Sequence, residues 1–254
     1  MDYFVEPGSI VRQIWGKGDT ILFIFAGASA EFALNRAVDW LYFTGKLPSD
    51  PLARLFSTVS YARQIVFSEK TEAIHAIDKI TAIHKAVENK RESQIPDWAY
   101  RDVLFMLIDY SIRAYELLER KLTEAEKAET FDVFYRVGSQ MQLSGLPATF
   151  ADWQIMRQDH INANLAYSHF TKDLYKQYKK HLGMFRYHTL IQAQVLVVPN
   201  RVNRLLSLGH TPWLVPVLGL YKLSRLFRME RLLRNIILPE DYRSQIEDLD
   251  VQEH

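Results

Sequence analysis

The sequence predicts an all-α fold, a bundle of many helices around one buried, apolar central helix, as a single domain over residues 1–254. Three observations lead there. Only ten glycines and nine prolines punctuate the chain, too few for a many-stranded sandwich or barrel, which turns about every 8–12 residues. Long stretches repeat apolar residues at i, i+3, i+4 and i+7, the spacing of one helix face. Hydrophobic residues make up 48% and aromatic residues 13% of the chain, enough for a substantial core.

The first strongly apolar stretch, Thr20 to Leu34, carries Glu31 and falls short of the roughly 20 apolar residues that cross a bilayer, so it reads as a buried helix. The segment before it, Met1 to Pro7, is acidic and broken by proline, unlike a secretory signal. A second helix is expected over Pro51 to Phe67. A third, Lys70 to Val87, stacks Ile74, Ile77, Ile80, Ile83 and Val87 along one side. Trp98 to Leu122 is apolar nearly all round over Val103 to Ile108, which suits the centre of a bundle. Thr123 and Glu126 form a capping box that starts the next helix, and Thr149 with Asp152 repeats the pattern more weakly. Gly145-Leu146-Pro147 breaks the chain between those two starts. Further helices are expected over Phe150 to Tyr178, Met184 to Val198 and Val215 to Ile237. A polar tail follows from about residue 240.

Composition also excludes chemistry. With 31 basic against 30 acidic residues, no large electrostatic attraction to phosphate backbones exists, so nucleic acid is not an expected partner. The absence of cysteine rules out disulfides, thiolate metal sites and cysteine nucleophiles, and fits a cytoplasmic location. Gly27-Ala28-Ser29-Ala30-Glu31 lacks the second glycine of a nucleophile elbow. Gly45-Lys46 lacks the upstream glycine of a phosphate loop. A di-iron carboxylate bundle needs two Glu-x-x-His pairs, and only Glu72 with His75 is present.

Of the eight histidines, most read as unremarkable. His210 precedes a Thr-Pro turn and His254 ends the sequence. His181 and His188 lie near the basic stretch Lys172 to Lys180, a solvated face. His160 and His169, nine apart on one expected helix, point to opposite sides. His84 differs, because Ile80, Ile83 and Val87 surround it. It is either a buried histidine satisfied by a carbonyl or an axial ligand to a haem iron, and pattern leaves both open.

Five segments in order resemble one family. They are Ser9 to Leu34; Asp50 to Ala73, with Arg54 and Thr58 in an Arg-x-x-x-Thr pattern; ITAIHKAV around His84; Ser111 to Thr149; and Pro212 to Arg243, closing on Leu-Pro-x-x-x-Arg. The chain resembles, as a divergent member, the helical oxygenases that include the latex-clearing (rubber) oxygenases and the mpaB-type ER-bound oxygenases. The resemblance implies an all-α fold holding a b-type haem, with dioxygen and an apolar, isoprenoid- or lipid-like small molecule as reaction partners. It makes His84 the iron ligand and places Arg54 and Thr58 in the haem pocket as binding and catalytic residues. Arg54 then pairs with a propionate or polarises dioxygen.

The sequence departs from the family at three places. Ser57 stands where rubber oxygenases have a lysine before the threonine. Asn35-Arg36 replaces a frequent His-Pro, and Asp102-Val103-Leu104 replaces Trp-Val-His. The lost histidines change the hydrogen bonding expected around the cofactor. A non-catalytic haem or apolar-ligand carrier, and a cofactor-free helical scaffold, are the alternatives to an enzyme. Finally, Lys222, Arg225, Arg228, Arg231 and Arg234 recur every third residue. That segment reads either as an ordinary surface helix with snorkelling arginines or as a peripheral membrane contact through residues 212–237.

Overall fold

The computed structural model describes residues 2–43 and 51–209, apart from the side chains of 41 and of 51–56. Among these residues the architecture is helical, and the only β pairings are isolated bridges between Tyr3 and Glu69 and between Asn35 and Leu165. In chain order the helices are α1 (Ile10–Trp15), α2 (Gly18–Leu34), α3 (Asp39–Phe43), α4 (Pro51–Phe67), α5 (Lys70–Arg91), α6 (Asp97–Leu118), α7 (Glu124–Gln140), α8 (Phe150–Ala163), α9 (His169–Val197) and α10 (Asn200–Leu206).

α6 is the expected central helix. It packs against α2, α7, α8 and α9, and Phe105, Tyr110, Ser111 and Ala114 are fully buried along it. The all-round apolar reading needs one adjustment, since Val103 keeps 40% of its surface exposed. The closest approach is to α2, and a glycine permits it. A Cβ on Gly27 would lie 2.2 Å from Cδ1 of Tyr110. The α1 tryptophan, Trp15, is sealed beneath this pair and donates from Nε1 to the Ser111 hydroxyl at 3.1 Å.

Local signals act as expected at α7. The Thr123 hydroxyl accepts from the Glu126 amide at 3.2 Å, and the Glu126 carboxylate accepts from the Thr123 amide at 2.8 Å. Thr149 likewise caps α8 by accepting from the Asp152 amide. The helix expected over Phe150 to Tyr178 is in fact two. α8 stops at Ala163 and α9 restarts behind a Ser168–Thr171 capping box. Asn164 ends α8 with its side chain donating to Asp102 on α6, and the Ser168 hydroxyl accepts from the Thr171 amide to start the new helix. α9 then runs through the expected gap before Met184, kinked at Gly183 with φ 72° and ψ 172°.

α4 and α5 form an antiparallel hairpin through the two-residue turn Ser68-Glu69. No helix of the described residues is long and apolar enough to cross a membrane. The segment 212–237 lies outside them.

Candidate functional site at the α5 face and the buried polar clusters behind it

Hairpin geometry brings the three expected site residues to neighbouring levels. Residue 54 precedes the end of α4 at Phe67 by thirteen positions, and His84 follows the start of α5 at Lys70 by fourteen. At 1.5 Å per residue both lie roughly 20 Å from the turn, with Thr58 one helical turn nearer to it on the same face as residue 54. Thr58 is half-buried. The side chain of Arg54 is outside the described residues.

His84 is half-buried, with its Nδ1 enclosed. Its ring meets the edge of Tyr100 on α6, with centroids 5.2 Å apart and planes at 88°. The Tyr100 hydroxyl donates to Glu88 Oε1 at 3.1 Å, and the Ile95 amide donates to the same oxygen at 2.9 Å. Glu88 lies one turn beyond His84, so a carboxylate, a phenol and an imidazole form a mechanical chain that fixes the ring plane. Burial, then the adjacent Glu88 charge, pushes the Tyr100 hydroxyl above its ordinary value, so it stays a donor. Tyr100 and Glu88 are legible only in the fold, because α6 must dock to bring them to His84.

The apolar stripe of α5 is only partly covered. Of Ile74, Ile77, Ile80, Ile83 and Val87, Ile77 alone is buried, and Ile83 is 40% exposed. The second half of α5 presents a greasy, half-open ridge with an imidazole on it. Among the described residues no three His, Asp or Glu side chains gather as metal ligands. His84 therefore belongs to no such three-residue group among the described residues.

Two buried polar clusters lie elsewhere in the bundle, between α2, α6 and α8. In the first, the Arg157 guanidinium of α8 forks onto Glu31 of α2, with Nη2 to Oε2 at 2.6 Å, and reaches Asp109 Oδ2 of α6 at 3.0 Å. The Tyr110 hydroxyl donates to Glu31 at 2.8 Å, and Arg113 at the rim donates to Asp109 at 2.7 Å. Arg157 is 4% exposed and Glu31 1%. Burial alone would raise the Asp109 carboxyl, but the two guanidiniums reverse this and hold it below its ordinary value. Burial and the Glu31 charge raise Tyr110 well above its own. Two carboxylates and two guanidiniums balance, and every polar group named is hydrogen-bonded, which is the pattern of a strut that fixes three helices.

The second cluster joins two of the family departures. Asn35 Nδ2 donates to Asp102 Oδ2 at 2.8 Å, Asn164 Nδ2 donates to the same oxygen at 2.9 Å, and His160 Nδ1 meets Asp102 Oδ1. Asn35 and Asn164 are the C-caps of α2 and α8, so one carboxylate ties two helix ends to α6. Asn35 stands where the family pattern frequently has a histidine and Asp102 where it has a tryptophan, and α8 brings a histidine, His160, to the same spot. The pairing of His160 with His169 as opposite faces of one helix is corrected, since they belong to different helices.

The family of ER-bound oxygenase mpaB/B′/Rubber oxygenase catalytic domains matches residues 13–237. Comparison with curated proteins and with solved structures finds no match. A match over most of the length shows the family: the chain belongs to the mpaB/rubber oxygenase catalytic-domain family.

Proposed function

We propose that this member of an oxygenase catalytic-domain family is a haem b-dependent oxygenase acting with dioxygen on an apolar, isoprenoid- or lipid-like substrate, in the cytoplasm. The observation that carries this reading is the half-open apolar ridge of α5 with His84 on it, level with residues 54 and 58 of α4.

When bound, the haem supplies dioxygen binding and one-electron chemistry that no side chain provides. The protein's own residues do the rest. His84 offers a neutral imidazole nitrogen as the iron ligand, and Tyr100, pinned by Glu88, holds the ring plane. Arg54 offers a planar guanidinium fork for a carboxylate, and Thr58 a hydroxyl one turn further along the same face. Ile80, Ile83 and Val87 give a flat apolar molecule a surface to cover and keep water from it.

The test is the visible spectrum of the recombinant protein, purified after haem supplementation, followed by oxygen consumption with a reductant and a polyisoprenoid. A Soret band in the wild type and substrate-dependent oxygen uptake are expected. Colourless protein overturns the haem reading; a Soret band without oxygen uptake leaves a carrier in place of an enzyme.

A further inference from the structure

α9 carries a surface that takes no part in the contacts around His84. Lys172, Lys176, Lys179 and Lys180 fall within an arc of about 100° at 3.6 residues per turn, and all four are exposed. None of them is in an ion pair among the described residues. The carboxylate nearest this stripe, Asp173, is at its edge and accepts from the Tyr42 hydroxyl at 3.0 Å. The stripe runs straight into the kink at Gly183, where an added Cβ would meet nothing within 4 Å. Directly after the kink, Met184 is 56% and Phe185 59% exposed.

We propose that this kink docks on an anionic membrane surface, with Met184 and Phe185 entering the acyl boundary and the lysine stripe lying on the headgroups. Physical reasons favour lipid over a protein partner. Lysine is depleted from the cores of protein interfaces, and two apolar side chains at a protruding bend offer far less than the roughly 800 Å² per side that a stable complex buries. Exposed apolar side chains at the end of a run of lysines are instead what an interfacial lipid contact uses. The docking would also hold the bundle beside a reservoir of apolar molecules.

The experiment is co-sedimentation of the full chain with phosphatidylcholine vesicles, with and without phosphatidylserine. Wild-type protein is expected to pellet with the anionic vesicles and to be released by salt. Lys176→Glu combined with Lys179→Glu should lower the partition coefficient by roughly 25-fold or more, at about fivefold per lysine. Met184→Ser with Phe185→Ser should also release the protein. In the otherwise wild-type chain, Phe185→Trp should add emission that shifts to the blue on anionic vesicles. All variants are expected to keep wild-type ellipticity, since the residues are exposed. Equal pelleting of wild type and variants would transfer any membrane contact to another part of the chain and overturn the proposal. So would failure of the wild type to bind anionic vesicles while retained on a polyglutamate resin, which would point to an acidic protein.

Discussion

Two regions of the bundle treat polar groups in opposite ways. Between α2, α6 and α8, Glu31, Asp109, Tyr110 and Arg157 are buried and answer one another atom for atom. On the second half of α5, His84 stands on a ridge whose isoleucines are only partly covered. A saturated cluster has no valence left for a ligand, so it belongs to the scaffold. An under-covered apolar face with one good donor is where chemistry can be added.

The comparison breaks most visibly by removing the scaffold's cation. Arg157→Met leaves two buried carboxylates without their guanidinium and is expected to cost about 3–5 kcal/mol. That corresponds to a fall in Tm of about 10 °C by calorimetry. Gly27→Ala drives a methyl into the Tyr110 ring and should cost about 1–3 kcal/mol in urea unfolding. Tyr110→Phe removes one donor from Glu31 and should cost about 1–2 kcal/mol.

A pH series sharpens the same contrast. The Asp109 carboxyl is depressed in the folded state, so its contribution is present above the ordinary value of 3.8 and is lost as pH falls through that value towards the lower folded one. Urea midpoints measured from pH 6 down to about 3 should therefore drop in the wild type. In Asp109→Asn, already weaker at pH 6, the drop should be shallower. The smallest effect on stability is expected at the proposed site. His84→Ala should change unfolding free energy by less than about 1 kcal/mol, because the side chain is half-exposed.

Much of the fold was legible because it is written locally. The capping box at Thr123, the apolar run from Thr20 to Leu34 and the central helix around Phe105 depend on neighbours within a few turns. The break between Ala163 and Ser168 was not read, because it is made by an asparagine and a serine with no glycine or proline to mark it. Glu31 was visible as a charge in an apolar run, but its partners lie 79 and 126 positions away, and no periodicity links them. The same holds for Asn35 and Asp102, which lie in two separate departures from the family pattern and prove to be one cluster. At His84 the pattern placed the imidazole beside an apolar stripe and left its burial open, and the fold makes it half-buried. A stripe in sequence records what a helix offers for covering, and on α5 the described helices leave part of that offer open.

The central claim is that the proposed cofactor face and the buried struts are separable. Titrating haem into the wild type and into His84→Ala, with urea unfolding of both in parallel, tests it most directly. The account predicts saturable binding with a Soret shift in the wild type, loss of that signal in His84→Ala, and unfolding midpoints that nearly coincide. Wild-type haem affinity in His84→Ala, or a variant that unfolds as readily as Arg157→Met, would contradict it.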